Sequence, residues 1–98
     1  VMVQDEETGS YPVTHNAAIL GRDIDEVDIP VLFKIVSKKH LKIVARDNSF
    51  FIVDQGSTNG TYVNGEKVRE SVVSPGDHVQ LGKKGDVKLV FKYSNNSL

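Results

Sequence analysis

The stretch Asp54-Gln55-Gly56-Ser57-Thr58-Asn59-Gly60-Thr61-Tyr62-Val63-Asn64-Gly65 constrains the fold of this chain more than any other. It holds two Asn-Gly pairs, and Asn and Gly accept positive φ at the least cost. The second pair lies between Thr61-Tyr62-Val63 and Glu66-Lys67-Val68, β-type residues on both sides of a two-residue turn, which predicts a hairpin. The first pair is too close to the second for another hairpin of the same kind, because only Thr61 to Val63 separates them. Ser57, Thr58 and Asn59 are therefore expected in a sharply bent loop that aims three short polar side chains from one rigid corner. Such a loop is well placed to grip a small polar group.

Turn signals recur along the rest of the chain roughly every eight to twelve residues, and no segment shows a sustained helical period. Short strands are expected around Met2, from Tyr11 to Leu20, from Val31 to Val36, from Leu41 to Arg46, from Phe50 to Asp54, from His78 to Leu81 and from Val87 to Tyr93. In the last of these Val87, Leu89, Phe91 and Tyr93 share one face. The pattern predicts an all-β, two-sheet antiparallel sandwich of roughly ten to eleven short strands, with binding loops at one end. At 98 residues the chain reads as a single domain, 1–98, with no internal repeat or linker. It opens on Val1 rather than a methionine, which reads as a piece of a larger protein.

Several function classes fall away on composition. A formal charge of −1 gives no basic excess to hold nucleic acid by counterion release. No cysteine is present, so no disulfide, thiolate metal site or thiol nucleophile is expected. No apolar run approaches a membrane span and no signal peptide opens the chain, so an intracellular setting, nuclear or cytoplasmic, is expected.

Three polar clusters carry the candidate chemistry: Gly21-Arg22, Ser37-Lys38-Lys39-His40 and Ser57-Thr58-Asn59-Gly60, the first two read as following apolar strands. In a sandwich the loops gather at two ends, and the three clusters are expected to converge on one rim. Arg22 offers a planar fork of donors suited to a tetrahedral oxyanion. Ser37 and Thr58 offer hydroxyls, Lys38 an ammonium, and Asn59 both a donor and an acceptor. A doubly charged phosphate has three oxygens to satisfy, and this set satisfies them by charge-assisted hydrogen bonds.

The combination resembles the forkhead-associated (FHA) domain family. The resemblance rests on Gly21-Arg22, Ser37-x-x-His40, Gly56-Ser57-Thr58-Asn59-Gly60-Thr61 with Asn64-Gly65, Pro75-Gly76-Asp77 and Leu81-Gly82, in that order and spacing. It implies a β-sandwich that binds phosphothreonine peptides through loops at one end, as a phosphorylation-dependent protein-interaction module that is not an enzyme and uses no cofactor or metal. Carried over by position, Arg22 and Ser37 hold the phosphate, Thr58 adds a hydroxyl contact, Lys38 a further charge, and Asn59 bonds the peptide main chain. His40 braces the loops, Gly21 lets the backbone turn, and Gly60 with Asn64-Gly65 shapes the same rim. Threonine is preferred over serine where a small apolar pocket takes the γ-methyl. An apolar preference after the phosphothreonine is expected from the Val31 to Val36 run, which lies just before the serine. The alternative within this fold is a phosphorylation-independent interaction or dimerisation surface, whereas the implied domain is a monomer in isolation.

Other readings of the same residues are weaker. Ser37, His40 and Asp54 lack the glycines of a nucleophile elbow, so no hydrolase triad is expected. His15 and His78 have no carboxylate or cysteine partners at metal-ligand spacing. The acidic loop Asp23, Asp25, Glu26 and Asp28 lacks the glycine and terminal glutamate of an EF-hand. The glycines around Thr58 lack the lysine of a nucleotide-binding P-loop. The sequons at Asn59 and Asn95 carry no secretion signal with them, and sugar on Asn59 blocks the proposed site. Phe50, Phe51, Phe91 and Tyr93 are expected in the core.

Overall fold

A computed structural model describes residues 2–5, 9–12, 17–46, 49–83 and 87–92. All regular structure among them is β. The strands are β1 (Met2–Asp5), β2 (Gly9–Pro12), β3 (Ala17–Gly21), β4 (Ile29–Pro30), β5 (Leu41–Arg46), β6 (Ser49–Asp54), β7 (Thr61–Val63), β8 (Glu66–Val68), β9 (Glu70–Val73), β10 (His78–Leu81) and β11 (Val87–Lys92). They form a six-stranded sheet in the order β2-β1-β11-β10-β7-β8 and a five-stranded sheet in the order β4-β3-β5-β6-β9. The two-layer, all-β expectation holds, and His15, Tyr93 and the tail with Asn95 lie outside the described residues.

Period-two alternation places the core between the sheets. Leu41 and Ile43 of β5, Ile52 of β6, Val79 and Leu81 of β10, and Leu89 and Phe91 of β11 are fully buried, and Leu20 of β3 joins them. Each such side chain stabilises the fold by about 1.5–3 kcal/mol relative to exposure, which is what holds two sheets of short strands face to face. The same alternation corrects the expectation for Phe51. Its neighbour Ile52 points inward, so Phe51 lies on the opposite face, where the Arg46 guanidinium sits 5.1 Å from its ring centroid. Phe50, on the inner side, is partly buried against the core.

Two further expectations are corrected. Val31 to Val36 is not a strand. Val31 and Val36 are buried, Leu32 is 60% exposed, and the Val36 N–H closes a turn onto the Phe33 carbonyl at 3.0 Å. Nor is the sandwich wholly antiparallel, because β3 and β4 pair in parallel, Leu20 beside Ile29 and Gly21 beside Pro30. The acidic segment after Arg22 doubles back, with the Asp28 N–H bonded to the Ile19 carbonyl and the Asp28 carboxylate accepting the Ile19 N–H. The chain therefore re-enters alongside β3 in the same direction.

The Asn64-Gly65 hairpin forms as expected, with Val63 opposite Glu66 and both turn residues at positive φ, 49° and 89°. That pair of angles is the type I′ geometry whose twist matches the flanking strands.

Candidate functional site

The loops after β3, before β5 and between β6 and β7 meet at one end of the sandwich. Their meeting depends on Gly21, where the chain leaves β3. The Arg22 N–H bonds to the Ser37 carbonyl at 3.0 Å and the Asp23 N–H to the Lys38 carbonyl at 3.2 Å, so the two loops lie backbone against backbone. A Cβ on Gly21 would fall 2.0 Å from the Lys38 carbonyl oxygen. Only a residue without a side chain allows this approach.

His40 locks the second loop to the third. It is fully buried, its Nδ1 accepts the Ser37 N–H at 3.1 Å, and its Nε2 faces the Gly60 carbonyl at 2.9 Å. The Ser37 N–H only donates and the Gly60 carbonyl only accepts, so these partners require the neutral imidazole carrying its proton on Nε2. Burial pushes the His40 pKa below the ordinary 6.5, against the smaller raising effects of the Gly60 carbonyl and of Asp54.

Asp54, at the end of β6, braces the third loop from beneath. Its carboxylate accepts the Ser57 N–H at 3.0 Å, the Ser57 hydroxyl, and the hydroxyl of buried Thr61 at 2.7 Å, while the Ser57 oxygen accepts the Gly60 N–H at 3.1 Å. Burial raises the Asp54 pKa, but these donors and the His40 nearby outweigh it and hold the carboxyl below its ordinary 3.8. Sequence reasoning treated Asp54 only as a discarded triad member. The spacing of Asp54, Ser57 and Thr61 around a turn is the signal that was there to be read.

Both shifts make acid destabilising. Above pH 6.5 His40 is neutral folded or unfolded and costs nothing. Below it the unfolded chain takes up a proton that the folded site refuses, so stability falls as pH drops from about 6.5 toward the lower folded value. Asp54 adds stability above 3.8 that is lost as pH falls through its depressed folded value. Thermal melts from pH 8 to pH 3 are expected to be flat near neutrality and to fall in these two steps. A melting temperature that holds or rises between pH 7 and pH 5 would contradict the assigned His40 geometry.

With the loops fixed, Arg22, Ser37, Lys38, Thr58 and Asn59 line one open cleft of about 270 Å³, together with Lys34, Ile35 and Val36. Each polar group keeps capacity for a ligand. Arg22 Nε donates to the Val36 carbonyl at 2.9 Å, which leaves the two terminal guanidinium nitrogens. The Ser37 Oγ accepts the Thr58 N–H at 3.0 Å, which leaves its proton to donate. Asn59 Nδ2 donates to the Ile35 carbonyl at 2.9 Å, leaving Oδ1 and the second amide proton. No carboxylate lines the cleft. Lys34 is the lining residue that the sequence reading passed over, because the run around it read as a buried strand.

Asn64 and Gly65 stand elsewhere. Asn64 bonds through its backbone N–H and its side-chain oxygen to His78, at the start of β10, whereas the Gly82 N–H, just past its end, bonds to the Gly60 carbonyl at 3.0 Å. The turn therefore holds the far end of β7, and its support of the cleft runs through that strand. Among the described residues no group of His, Cys, Asp and Glu is placed to hold a metal ion, and no helix is long and apolar enough to cross a membrane.

A two-sheet sandwich that gathers cationic and hydroxyl-bearing loops into a carboxylate-free cleft defines a class of anion-reading module. The chain belongs to the FHA domain family, whose model matches residues 18–82. It is 50% identical over 56 residues, 57% of the chain, to the oxoglutarate dehydrogenase inhibitor of Corynebacterium diphtheriae. That match covers 37% of the relative, so the chain spans about a third of its length. Among solved structures it is similar to Mycobacterium tuberculosis EmbR in complex with a low affinity phosphopeptide, with a TM-score of 0.84, 29% identity, and coverage of 99% of this chain and 25% of that one. It is also similar to a chain solved in a structural and functional analysis of phosphothreonine-dependent FHA domain interactions, with a TM-score of 0.84, 26% identity and 95% coverage of both.

Proposed function

We propose that this chain is the phosphothreonine-reading module of a larger protein, joining it to phosphorylated partners without turnover. The observation that carries the reading is the cleft, in which donors from three loops face one space with no carboxylate to repel an anion. The terminal nitrogens of Arg22 and the Ser37 hydroxyl take phosphate oxygens, with Lys38 and Thr58 completing the set by charge-assisted hydrogen bonds. Asn59 holds the peptide main chain, and Gly21, His40 and Gly60 keep the loops in place. Similarity to FHA structures studied with phosphopeptides supports the assignment. The bacterial relative, named for inhibiting oxoglutarate dehydrogenase, supports an intracellular role exercised through binding.

The test is fluorescence anisotropy with degenerate peptide pools carrying phosphothreonine, phosphoserine or plain threonine, against the wild type and Arg22→Ala. The phosphothreonine pool is expected to bind best. Removing two charge-assisted bonds at about 1.5–3 kcal/mol each is expected to weaken it roughly a hundredfold or more, with the fold intact by circular dichroism. Equal binding of phosphorylated and plain pools would replace this reading with a phosphorylation-independent interaction surface.

A further inference from the structure

The outer face of the five-stranded sheet is more apolar than a solvated face needs to be. Strands with one face in water ordinarily alternate apolar inward and polar outward. The outward positions of β3, β5, β6 and β9 line up across the sheet in two rows. One row is Ala17, Val44, Phe51 and Val72, each directly opposite the next, and all four are apolar. The row beside it, nearer the cleft, is Ile19, Lys42, Val53 and Glu70. None of the eight is buried, and Val72 is 50% exposed. The other sheet keeps to the rule. Its outer face carries Tyr62, Lys67, His78, Gln80 and Lys88, with Val90 the one aliphatic group among the described side chains of β7, β8, β10 and β11. An apolar band on one sheet alone marks a face that a partner covers.

The two charges in the band say which partner. Lys42 and Glu70 stand one strand to either side of Val53, roughly 10 Å apart, and neither forms an ion pair with another described residue. A second copy laid face to face about a twofold axis along β6 brings its Lys42 over Glu70 of the first and its Glu70 over Lys42. Val44 then meets Val72, while Phe51 and Val53 each meet their own counterparts. A twofold axis across the strands does worse, because it sets each charge against an apolar residue or against its own like. The aligned arrangement is also the one in which sheets pack, with strand directions within about 30°. The band is therefore complementary to itself.

We infer that two copies of this chain pair back to back through the outer face of the five-stranded sheet, Lys42 of each meeting Glu70 of the other. This departs from the monomer that the resemblance implies, and it leaves the cleft untouched. The axis runs along the strands, so both clefts open at the same end of the pair. On the reading of the cleft given above, the dimer offers two phosphothreonine sites to a partner phosphorylated twice. The band holds eight side chains, against roughly 20–30 residues a side in a standard interface, so the association is weak, with a dissociation constant on the order of 100 μM.

The test is sedimentation equilibrium of the 98-residue chain without peptide, over concentrations about tenfold either side of that constant. Wild type is expected to pass from monomer to dimer across the range. Lys42→Glu or Glu70→Lys alone opposes like charges at both symmetric contacts and is expected to weaken association about tenfold. The double variant, and an equal mixture of the two single variants, restore opposite charges across the axis and should return association to within about threefold of wild type. A damaged fold would restore neither. Phosphothreonine-peptide affinity should match wild type in every variant, since neither residue lines the cleft. The inference is overturned if wild type stays monomeric throughout, which leaves the face to a partner of another sequence. It is equally overturned if neither charge reversal weakens the dimer, or if the mixed single variants fail to associate. Because association is read without peptide, its failure is separate from failure of the phosphothreonine reading.

Discussion

Replacing His40 with alanine is expected to cost about 4 kcal/mol of stability and most of the phosphopeptide affinity. The imidazole is fully buried and bridges two loops, so its removal orphans the Ser37 N–H, leaves the Gly60 carbonyl with the Gly82 N–H alone, and opens a cavity. Each unsatisfied buried group costs roughly 1–3 kcal/mol, and the lost packing adds to it. For a domain of this size each kcal/mol lowers the melting temperature by about 4–8 °C, so the transition should move down by some 20 °C in calorimetry. Affinity should fall alongside, because Ser37 and Asn59 stand on the freed loops. A variant that melts within a few degrees of wild type would show that the bridge is dispensable.

Gly21→Ala is the second large effect, and its cause is steric. The new Cβ would stand 2.0 Å from the Lys38 carbonyl oxygen and 2.9 Å from the Lys39 Cα, backbone atoms that cannot swing aside as a side-chain tip does. Relief requires breaking the bonds from Arg22 and Asp23 to the Ser37 and Lys38 carbonyls. We expect a loss of about 3 kcal/mol or more, at or above the usual range for overpacking. Heteronuclear NMR of the folded fraction should show the largest shifts at residues 21–23 and 37–39. Wild-type stability with unchanged spectra in those segments would refute the close approach.

Much of this architecture was legible in the sequence because local chemistry and global fold agree there. Asn64-Gly65 admits few turns other than the one found, and β5, β10 and β11 carry the alternation of a sheet with one face in the core. The misreadings have one physical origin. A short apolar run looks the same whether it extends as a buried strand or folds as a turn that buries only its ends, and Val31 to Val36 does the second. In the same way Phe51 is apolar but falls on the outer face of β6, since the inward phase is set by Ile52. β9 went unexpected because it is a four-residue edge strand with Glu70 and Val72 exposed, too short to show a period. For the site, the resemblance supplied residue identities and the role of Asp54 was written in its spacing to Ser57 and Thr61, whereas the place of Lys34 in the cleft depends on how distant loops face one another, which no local pattern encodes.

The cleft draws its parts from both layers of the sandwich, and that bears on how the protein comes into being. Arg22 and Ser37 flank strands of one sheet, the loop holding Thr58 and Asn59 crosses to the other, and Gly60 is tied to Gly82 beyond β10. A polypeptide emerging from the ribosome therefore has no binding site until residue 82 is free and the two layers have closed. Pairings this distant in sequence also fold slowly. Capture of phosphorylated partners is thus postponed until synthesis of the domain is nearly complete, and a truncated product lacking β10 and β11 would not compete for them.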